Sequence, residues 1–169
     1  MNWEAIGAIG EIVGALGVIA TLLYLARQIR NSAIATRLHS YELILDGYQT
    51  HIRTLTEESL AEVFLRGSSG ADDLSDVDSL RFTVVMAGFV LGYQKSLEAY
   101  RHDVLDEEMF AAFEADMLDI LLLPAVRKWW EANQSRYTSR VRDRLNAQLE
   151  DDTGARAPIL EQVVKWRAR

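Results

Sequence analysis

The histidines are the residues whose spacing to carboxylates comes closest to that of a metal site. His39 and Glu42 are three residues apart, and Glu98 and His102 are four apart, so each pair would share one face of a helix. Di-iron bundles use a Glu-x-x-His motif from each of two helices, together with two further glutamates. Here the order is reversed in the first pair and the spacing is four in the second. We therefore expect surface pairs on helices and no metal site.

Other residue types that carry catalysis form no recognisable motif. The chain has no cysteine, which excludes thiolate zinc sites, iron–sulfur clusters and thiol catalysis. The acidic loop with Asp72 and Asp73 lacks the central glycine and the twelfth-position glutamate of an EF-hand. Neither the phosphate-binding motif G-x-x-x-x-G-K-S/T nor the nucleophile motif G-x-S-x-G occurs. We expect no cofactor and rank an enzyme last among the possible functions.

Length and charge narrow the class of protein further. The 169 residues fit one domain with a small appendage, and 49% hydrophobic residues with 25% charged residues is close to a globular average. The net charge of -7 disfavours a nucleic-acid-binding protein, because contacts with phosphates need a basic surface.

The elements that must position any site begin with an apolar segment at residues 5–26. Before Tyr24 it contains one ionisable side chain, Glu11, and it has no proline. Its 22 residues are enough for a helix to cross a bilayer. Trp3 and Tyr24 would lie about 31 Å apart along a helix, close to the thickness of the hydrocarbon core. Aromatic residues at both borders are typical of a membrane helix. The alternative is an apolar helix buried in a soluble bundle or oligomer.

The flanking residues favour a retained anchor over a cleaved signal peptide. A signal peptide opens with lysine or arginine, whereas this chain opens Met-Asn-Trp-Glu. Arg27, Arg30 and Arg37 follow the segment. By the positive-inside rule, we expect the N-terminus to lie outside and the remaining mass to be cytoplasmic, as in a single-pass membrane protein. The three arginines are candidates for contacts with lipid headgroups.

One side of the predicted membrane helix consists of small residues, which we call the glycine face. Its members recur at spacings of three or four: Gly7, Gly10, Gly14, Gly17 and Thr21. Glycine costs about 1 kcal/mol relative to alanine in a helix, and in lipid small residues let a second helix approach closely. We interpret this face as a packing surface for a second copy or for another membrane protein. The alternative is that glycine is simply common in membrane helices.

Glu11 lies at the edge of the glycine face, one turn after Gly7. An ionised carboxylate deep in hydrocarbon costs about 3 kcal/mol or more. Two roles remain open: a hydrogen-bonding contact between packed helices, which we favour, and a proton or ion group in the aqueous path of an oligomeric pore or transport accessory.

The remainder of the chain predicts an all-α protein, in which a transmembrane helix precedes a cytoplasmic helical bundle. We divide it into residues 1–30 (membrane helix and juxtamembrane turn), residues 31–150 (bundle) and residues 151–169 (a tail with a possible short helix). The spacing of apolar residues predicts that the first helix continues to about Leu55. Thr56 is a candidate cap for a short helix that Gly67 would end.

Later helices have clearer boundaries. Ser75 and Asp78 predict the start of a helix reaching about Tyr100, and its uncharged run at residues 82–93 suits a fully buried central helix. Asp106 resembles an N-cap for a helix with one apolar face. That face contains Met109, Phe110, Phe113, Met117, Ile120 and Leu121. Pro124 fits the first turn of a helix with Trp129 and Trp130, of which we expect one to be packed and the other half-exposed. A last helix is predicted at residues 138–149.

Charge is unevenly distributed in the predicted bundle. Residues 67–124 contain 12 acidic and 3 basic side chains, whereas residues 125–149 contain 6 basic and 2 acidic ones. We expect complementary faces within the bundle or between subunits, or a solvated basic face. Contact with anionic lipid is an alternative. The basic residues are Arg127, Lys128, Arg136, Arg140, Arg142 and Arg144.

Two segments carry a resemblance. The opening Trp3-Glu4-x-Ile6-Gly7-x-Ile9-Gly10-Glu11-x-x-Gly14, and the segment that runs from Tyr24 to Ser32 as Tyr-Leu-Ala-x-Gln-Ile-Arg-Asn-Ser, resemble uncharacterised bacterial proteins with one N-terminal membrane helix before a helical cytoplasmic domain. The Trp-Trp helix after Pro124, with Arg127 before it and Tyr137 after it, is similar to their C-terminal part. The resemblance implies this topology and a bacterial origin, so we predict a single-pass protein of a bacterial inner membrane. It implies no activity and no functional residues.

Together these observations predict a membrane-anchored interaction or scaffold protein that self-associates through the glycine face. A pore or transport accessory with Glu11 facing water is the alternative. The expected partners are a second copy or another membrane protein, together with the lipid bilayer, and no nucleic acid.

Overall fold

The structure is a computed structural model that describes residues 3–70 and 74–151, apart from the side chains of residues 4 and 5. It contains six α-helices and no strand within these ranges, which confirms the all-α class. The bounds are α1 Trp3–Thr54, α2 Glu58–Ser68, α3 Asp76–Arg101, α4 Glu107–Leu121, α5 Pro124–Asn133 and α6 Ser139–Asp151. A 3-10 turn, Gln134–Arg136, follows α5. The predicted short helix in the tail lies outside the described residues, as do Asp72 and Asp73.

Helix α1 is continuous over 52 residues, as the apolar spacing predicted. It passes through Arg30 without a turn, so the juxtamembrane turn expected there is not formed. The chain divides into two compact units, residues 1–40 and residues 41–169. The first unit is a single exposed helix in its described part, and the second contains the helical bundle.

The bundle is built around α3. Its side chains Phe82, Met86, Phe89 and Tyr93 are buried, and it packs against α2 and α4. Helix α5 packs against α2 and α4, and α6 packs against α4. The prediction of a fully buried α3 is wrong, because one side of this helix is exposed at Leu80, Val84 and Leu91. The uniformly apolar run did not show which side neighbouring helices cover.

Local capping sets several helix boundaries, as predicted. The Ser75 hydroxyl accepts a hydrogen bond from the Asp78 N–H (3.1 Å) at the start of α3. The Asp106 carboxylate accepts one from the Met109 N–H (2.8 Å) at the start of α4. Pro124 occupies the first position of α5. These groups satisfy helical N–H donors that have no partner within the helix.

The boundaries of α2 differ from the prediction. Thr56 is not its cap, because its hydroxyl donates to the Arg53 carbonyl (2.7 Å) and Glu57 occupies the N-cap position without a side-chain bond. Gly67 does not end the helix; it is buried within α2. A Cβ at Gly67 would collide with the Phe82 ring, so glycine here allows α2 and α3 to pack closely. The residue that leaves the helical conformation is Gly70, with φ of 81°.

Two further predictions concern the burial of side chains in α4 and α5. Phe110, Met117, Ile120 and Leu121 of α4 are buried as predicted, whereas Met109 is 39% exposed because no described element covers it. The two tryptophans confirm the prediction. Trp130 is buried and donates to the Asn146 side-chain oxygen (2.9 Å), and Trp129 is only partly buried.

Candidate functional site

The apolar part of α1 is the candidate functional element of the first unit. Ile6–Thr54 is long and apolar enough to span a membrane, by length and composition, with mean hydropathy of 2.1 in its most apolar 18-residue window. None of that window is buried in the chain, whereas the core helix of a soluble protein is mostly buried. A signal sequence near an N-terminus meets the same criterion of length and composition.

Aromatic residues lie at the borders of this segment. Trp3 is 71% exposed and Tyr24 is 67% exposed, and α1 is helical between them. At helical rise they are separated by about 31 Å along the axis. The spacing predicted from the sequence is thus realised by one unbroken helix.

The four glycines of the glycine face have no steric role within their own chain. A Cβ built at Gly7, Gly10, Gly14 or Gly17 meets nothing within 4 Å. By contrast, Gly88 is enclosed, because a Cβ there would collide with the His51 ring. No contact inside the described chain therefore requires glycine at the four positions of the glycine face.

Thr21 completes the glycine face without adding an unsatisfied polar group. Its hydroxyl donates to the Gly17 carbonyl (2.8 Å), one turn earlier in α1. Such a bond within one helix lets a threonine side chain enter an apolar environment, since its donor already has a partner.

The charged residues of the first unit lie around and after the apolar segment. The Glu11 side chain is exposed, about 100° around the helix from Gly10 at 100° per residue. Arg27, Arg30 and Arg37 are exposed beyond Tyr24. At 1.5 Å per residue they lie about 4.5, 9 and 20 Å past Tyr24 along the axis.

The candidate metal ligands do not assemble into a site. His102 lies at the exposed end of α3, with its Nε2 3.9 Å from Glu98 Oε2. Glu98 also pairs with Arg101 (2.9 Å) and Arg140 (3.3 Å). Over residues 3–70 and 74–151, no group of three histidine, aspartate or glutamate side chains is arranged to hold a metal ion.

The bundle contains a partly buried polar cluster, which links α3, α4 and α6. Arg144 donates to both carboxylate oxygens of Glu114, and the Tyr93 hydroxyl donates to Glu114 Oε1 (2.9 Å). The Arg144 guanidinium also lies 4.8 Å from the centre of the Phe110 ring. Burial, reinforced by the nearby carboxylate, raises the pKa of Tyr93, and hydrogen bonding to Glu114 raises the pKa of Arg144. Tyr93 therefore stays neutral and acts as a donor.

Two ion pairs join the acidic segment to the basic segment. Glu114 of α4 pairs with Arg144 of α6, and Glu98 of α3 pairs with Arg140 of α6. Both pairs lie within one bundle, which is one of the alternatives that the sequence left open. The pairs hold α6 against α3 and α4.

Two further polar contacts connect the end of α1 to the bundle. The Tyr48 hydroxyl donates to Asp116 Oδ2 (2.7 Å), and burial followed by this bond raises the pKa of Tyr48. His51 Nε2 lies 2.9 Å from the Val85 carbonyl oxygen. Because a carbonyl only accepts, Nε2 must carry the hydrogen. Burial lowers the pKa of His51, against the opposing effect of this bond.

Sequence reasoning did not find the contact of His51 with Gly88 or the exposed side of α3. The first joins residues 37 positions apart, and the second lies in an apolar run that covers both sides of the helix. A signal for the second was present, since Val77, Leu80, Val84, Ala87 and Leu91 alternate at spacings of three and four.

Comparison with protein-family models, curated proteins and solved structures gives no match to this chain. Function is therefore inferred from the chain's own residues.

Proposed function

We propose that this protein is a membrane-anchored helical interaction protein that self-associates through the glycine face of α1. The observation that carries the proposal is that the four glycines of this face have open space around them in the single chain. Each costs about 1 kcal/mol relative to alanine in a helix. That cost has a physical reason when a second helix packs against the face, because glycine lets two backbones approach closely.

The proposed topology places the N-terminus outside and the bundle in the cytoplasm of a bacterium. Support comes from the exposed apolar surface of α1, from the aromatic residues at its borders and from the arginines after Tyr24. Arg27 and Arg30 follow Tyr24 closely enough along the helix to reach lipid headgroups. Arg37 lies about 20 Å past Tyr24, so its headgroup contact requires a tilted helix.

The main experiment measures the mass of the full chain in detergent. Gly10→Leu with Gly14→Leu places bulky side chains on the glycine face and should dissociate the assembly. The matched control is Ala8→Leu with Ala15→Leu, which adds comparable bulk about 120–140° from the centre of the glycine face on the same helix. Dissociation of the glycine variant alone supports the proposal. An unchanged mass, or equal dissociation of the control, would overturn it.

Topology has a separate test, helped by the absence of cysteine from the chain. Single cysteines are introduced as Asn2→Cys or Leu43→Cys, and intact cells are treated with a membrane-impermeant maleimide. The proposal predicts labelling at position 2 in intact cells and at position 43 only after lysis. Recovery of the chain in the aqueous fraction without detergent would contradict the membrane anchor.

A further inference from the structure

A groove in the second unit lies between the end of α1 and α4. Its volume is about 520 Å³. Aromatic rings from both helices meet in it, because the Tyr48 ring lies edge-on to the Phe113 ring with centroids 5.4 Å apart. We call it the α1–α4 groove. Its apolar lining consists of Tyr41, Leu45, Tyr48, Met109, Ala112 and Phe113.

The α1–α4 groove is acidic as well as apolar. Its charged members among the described residues are Asp106, Glu108 and Asp116. The surrounding sequence does not neutralise them, since residues 38–52 and residues 102–126 contain no lysine or arginine. An occupant that matches this groove therefore combines apolar groups with positive charge.

The carboxylates at the groove can accept further hydrogen bonds. Asp106 accepts one from the Met109 N–H (2.8 Å), and Asp116 accepts one from the Tyr48 hydroxyl (2.7 Å). A carboxylate has two oxygens and about four lone-pair sites, so one such bond leaves room for a cationic donor. Glu108 is exposed beside them.

The described residues leave the apolar lining of the groove partly uncovered. Met109 is 39% exposed, although it belongs to the apolar face of α4, and Leu45 and Phe113 are only half-buried. A further segment of chain in the groove would remove this apolar surface from water, which is favourable.

The chain continues past α6 with a segment of the matching character, residues 152–169, which we call the basic tail. It contains four basic and two acidic side chains. The other internal segment outside the described residues, residues 71–73, is Ala-Asp-Asp, and like charge would keep it from an acidic groove. Residues 163–169 of the basic tail contain no acidic side chain. They combine Val163, Val164 and Trp166 with Lys165, Arg167 and Arg169.

The basic tail is long enough to reach the groove. Helix α6 ends at Asp151 and packs against α4, which forms one wall of the groove. A path along all 15 residues of α4 and around it is about 22 Å plus a helix diameter of about 10–12 Å. Residues 152–163 span up to about 40 Å when extended. Residues 163–169 can therefore reach the far side of α4.

From this match of charge, apolar surface and length, we infer that the basic tail binds in the α1–α4 groove of its own chain. Its apolar side chains lie on the apolar lining, and its lysine and arginines lie beside the three carboxylates. Arginine also stacks favourably on aromatic rings such as those of Tyr48 and Phe113. A positively charged partner would have to displace the tail to enter the groove. The groove lies in the second unit, so the inference does not depend on the glycine face.

Disulfide cross-linking of the full chain in detergent tests the inference, because the sequence has no cysteine of its own. The test variant carries Ala112→Cys in the groove and Ala168→Cys in the basic tail, so no charged or aromatic side chain is lost. The matched control carries Ala111→Cys with Ala168→Cys, since Ala111 is also an exposed alanine of α4 but is not among the residues that line the groove. After mild oxidation, we expect the test variant to form an intramolecular disulfide at least several-fold faster than the control.

Two adjacent glutamates test the role of charge. Glu108 lines the groove, whereas Glu107 is equally part of the first turn of α4 and exposed but is not among the lining residues. Adding Glu108→Lys to the test variant should slow disulfide formation several-fold. Adding Glu107→Lys changes the net charge by the same amount and should have much less effect.

A measurement without cross-linking uses the single variants Ala112→Cys and Ala111→Cys. Deleting residues 152–169 should speed the reaction of maleimide with the cysteine at position 112 several-fold, because the tail no longer covers it. The same deletion should leave the reaction at position 111 unchanged. Circular dichroism checks that each variant keeps its helical content.

Several results would overturn the inference. They are equal cross-linking at positions 111 and 112, equal effects of the two lysine substitutions, or a maleimide reaction at position 112 that the deletion does not speed. A covalent dimer on a denaturing gel, in place of a cross-linked monomer, would show that the tail enters the groove of another copy and would overturn binding within one chain.

Discussion

At the scale of single residues, the junction of α1 with α3 shows how one glycine makes room for a half-buried histidine. The His51 ring lies against Gly88, its Nε2–H donates to the Val85 carbonyl, and it meets the Phe89 ring edge-on with centroids 4.5 Å apart. A side chain at position 88 would occupy the space of the imidazole. The pair therefore fixes where the end of α1 contacts α3.

Gly88→Ala should destabilise the protein. The new methyl group overlaps the His51 ring, and overpacking of this kind costs about 1–3 kcal/mol of unfolding free energy. Gly92→Ala is the matched control, because its Cβ would be 4.0 Å from the Tyr48 ring, an ordinary contact. That control should be neutral or gain up to about 1 kcal/mol from helix propensity. Denaturant unfolding followed by circular dichroism measures both, and equal stability of the two variants would refute this account.

His51 also predicts a pH dependence of stability. Burial lowers the pKa of His51 in the folded state. At pH values between this lowered pKa and the pKa of the unfolded chain, the unfolded chain therefore binds more protons than the folded chain. Unfolding free energy should therefore fall as pH decreases below about 6.5, the unperturbed value for histidine, and level off below the folded pKa. His51→Gln should flatten this slope, whereas His102→Gln should retain it, because the His102 side chain is 74% exposed. An unchanged slope in His51→Gln would show that another group is responsible.

At the scale of helices, α6 is held by a charge cluster in addition to its apolar contacts. Arg144 and Glu114 form a two-point hydrogen-bonded pair, and the Glu114 side chain is only 12% exposed. The Arg140–Glu98 pair joins α6 to α3 at the surface, with side chains 60% and 38% exposed. Solvent weakens such an exposed pair much more than a partly buried one.

Arg144→Met should therefore cost more than Arg140→Met. Removing Arg144 leaves the Glu114 carboxylate partly buried with Tyr93 as its remaining hydrogen-bond donor in this cluster, and we expect a loss of about 1–2 kcal/mol, reduced by the 39% exposure of Arg144. Arg140→Met should cost at most about 0.5 kcal/mol. Thermal unfolding compares the two variants. The assignment fails if Arg140→Met is the more destabilising of the two.

The same helices show what could be predicted from sequence and why. Ser75, Asp106 and Pro124 act on the backbone within one turn of their own positions. Their roles could therefore be predicted from the neighbouring sequence alone. Gly67 looked like a helix end, but its role is set by Phe82, which is 15 residues away and on another helix. The exposed side of α3 was hidden for a similar reason. An apolar run does not encode which neighbours cover it.

The candidate sites follow the same physical distinction. The glycine face was visible from the sequence, because all its members lie on one helix and spacing alone places them together. The groove lined by His51, Leu60 and Leu91 was not, since it combines residues of α1, α2 and α3. Its position depends on tertiary packing, which no local pattern specifies.

At the scale of the whole molecule, the glycine face and the bundle belong to different parts of the chain. The four glycines lie in the first unit, residues 1–40, and the bundle lies in the second. A twofold interface uses the same patch on both copies, so a chain that pairs only through the glycine face closes at a dimer.

The mass of the assembly tests this expectation. The unaltered chain in detergent should form dimers. Gly10→Leu with Gly14→Leu should leave monomers, with helical content unchanged because both positions are exposed in the single chain. Native mass spectrometry from detergent distinguishes these states. A dimer that persists in this variant would require an interface elsewhere on the chain and refute pairing through the glycine face.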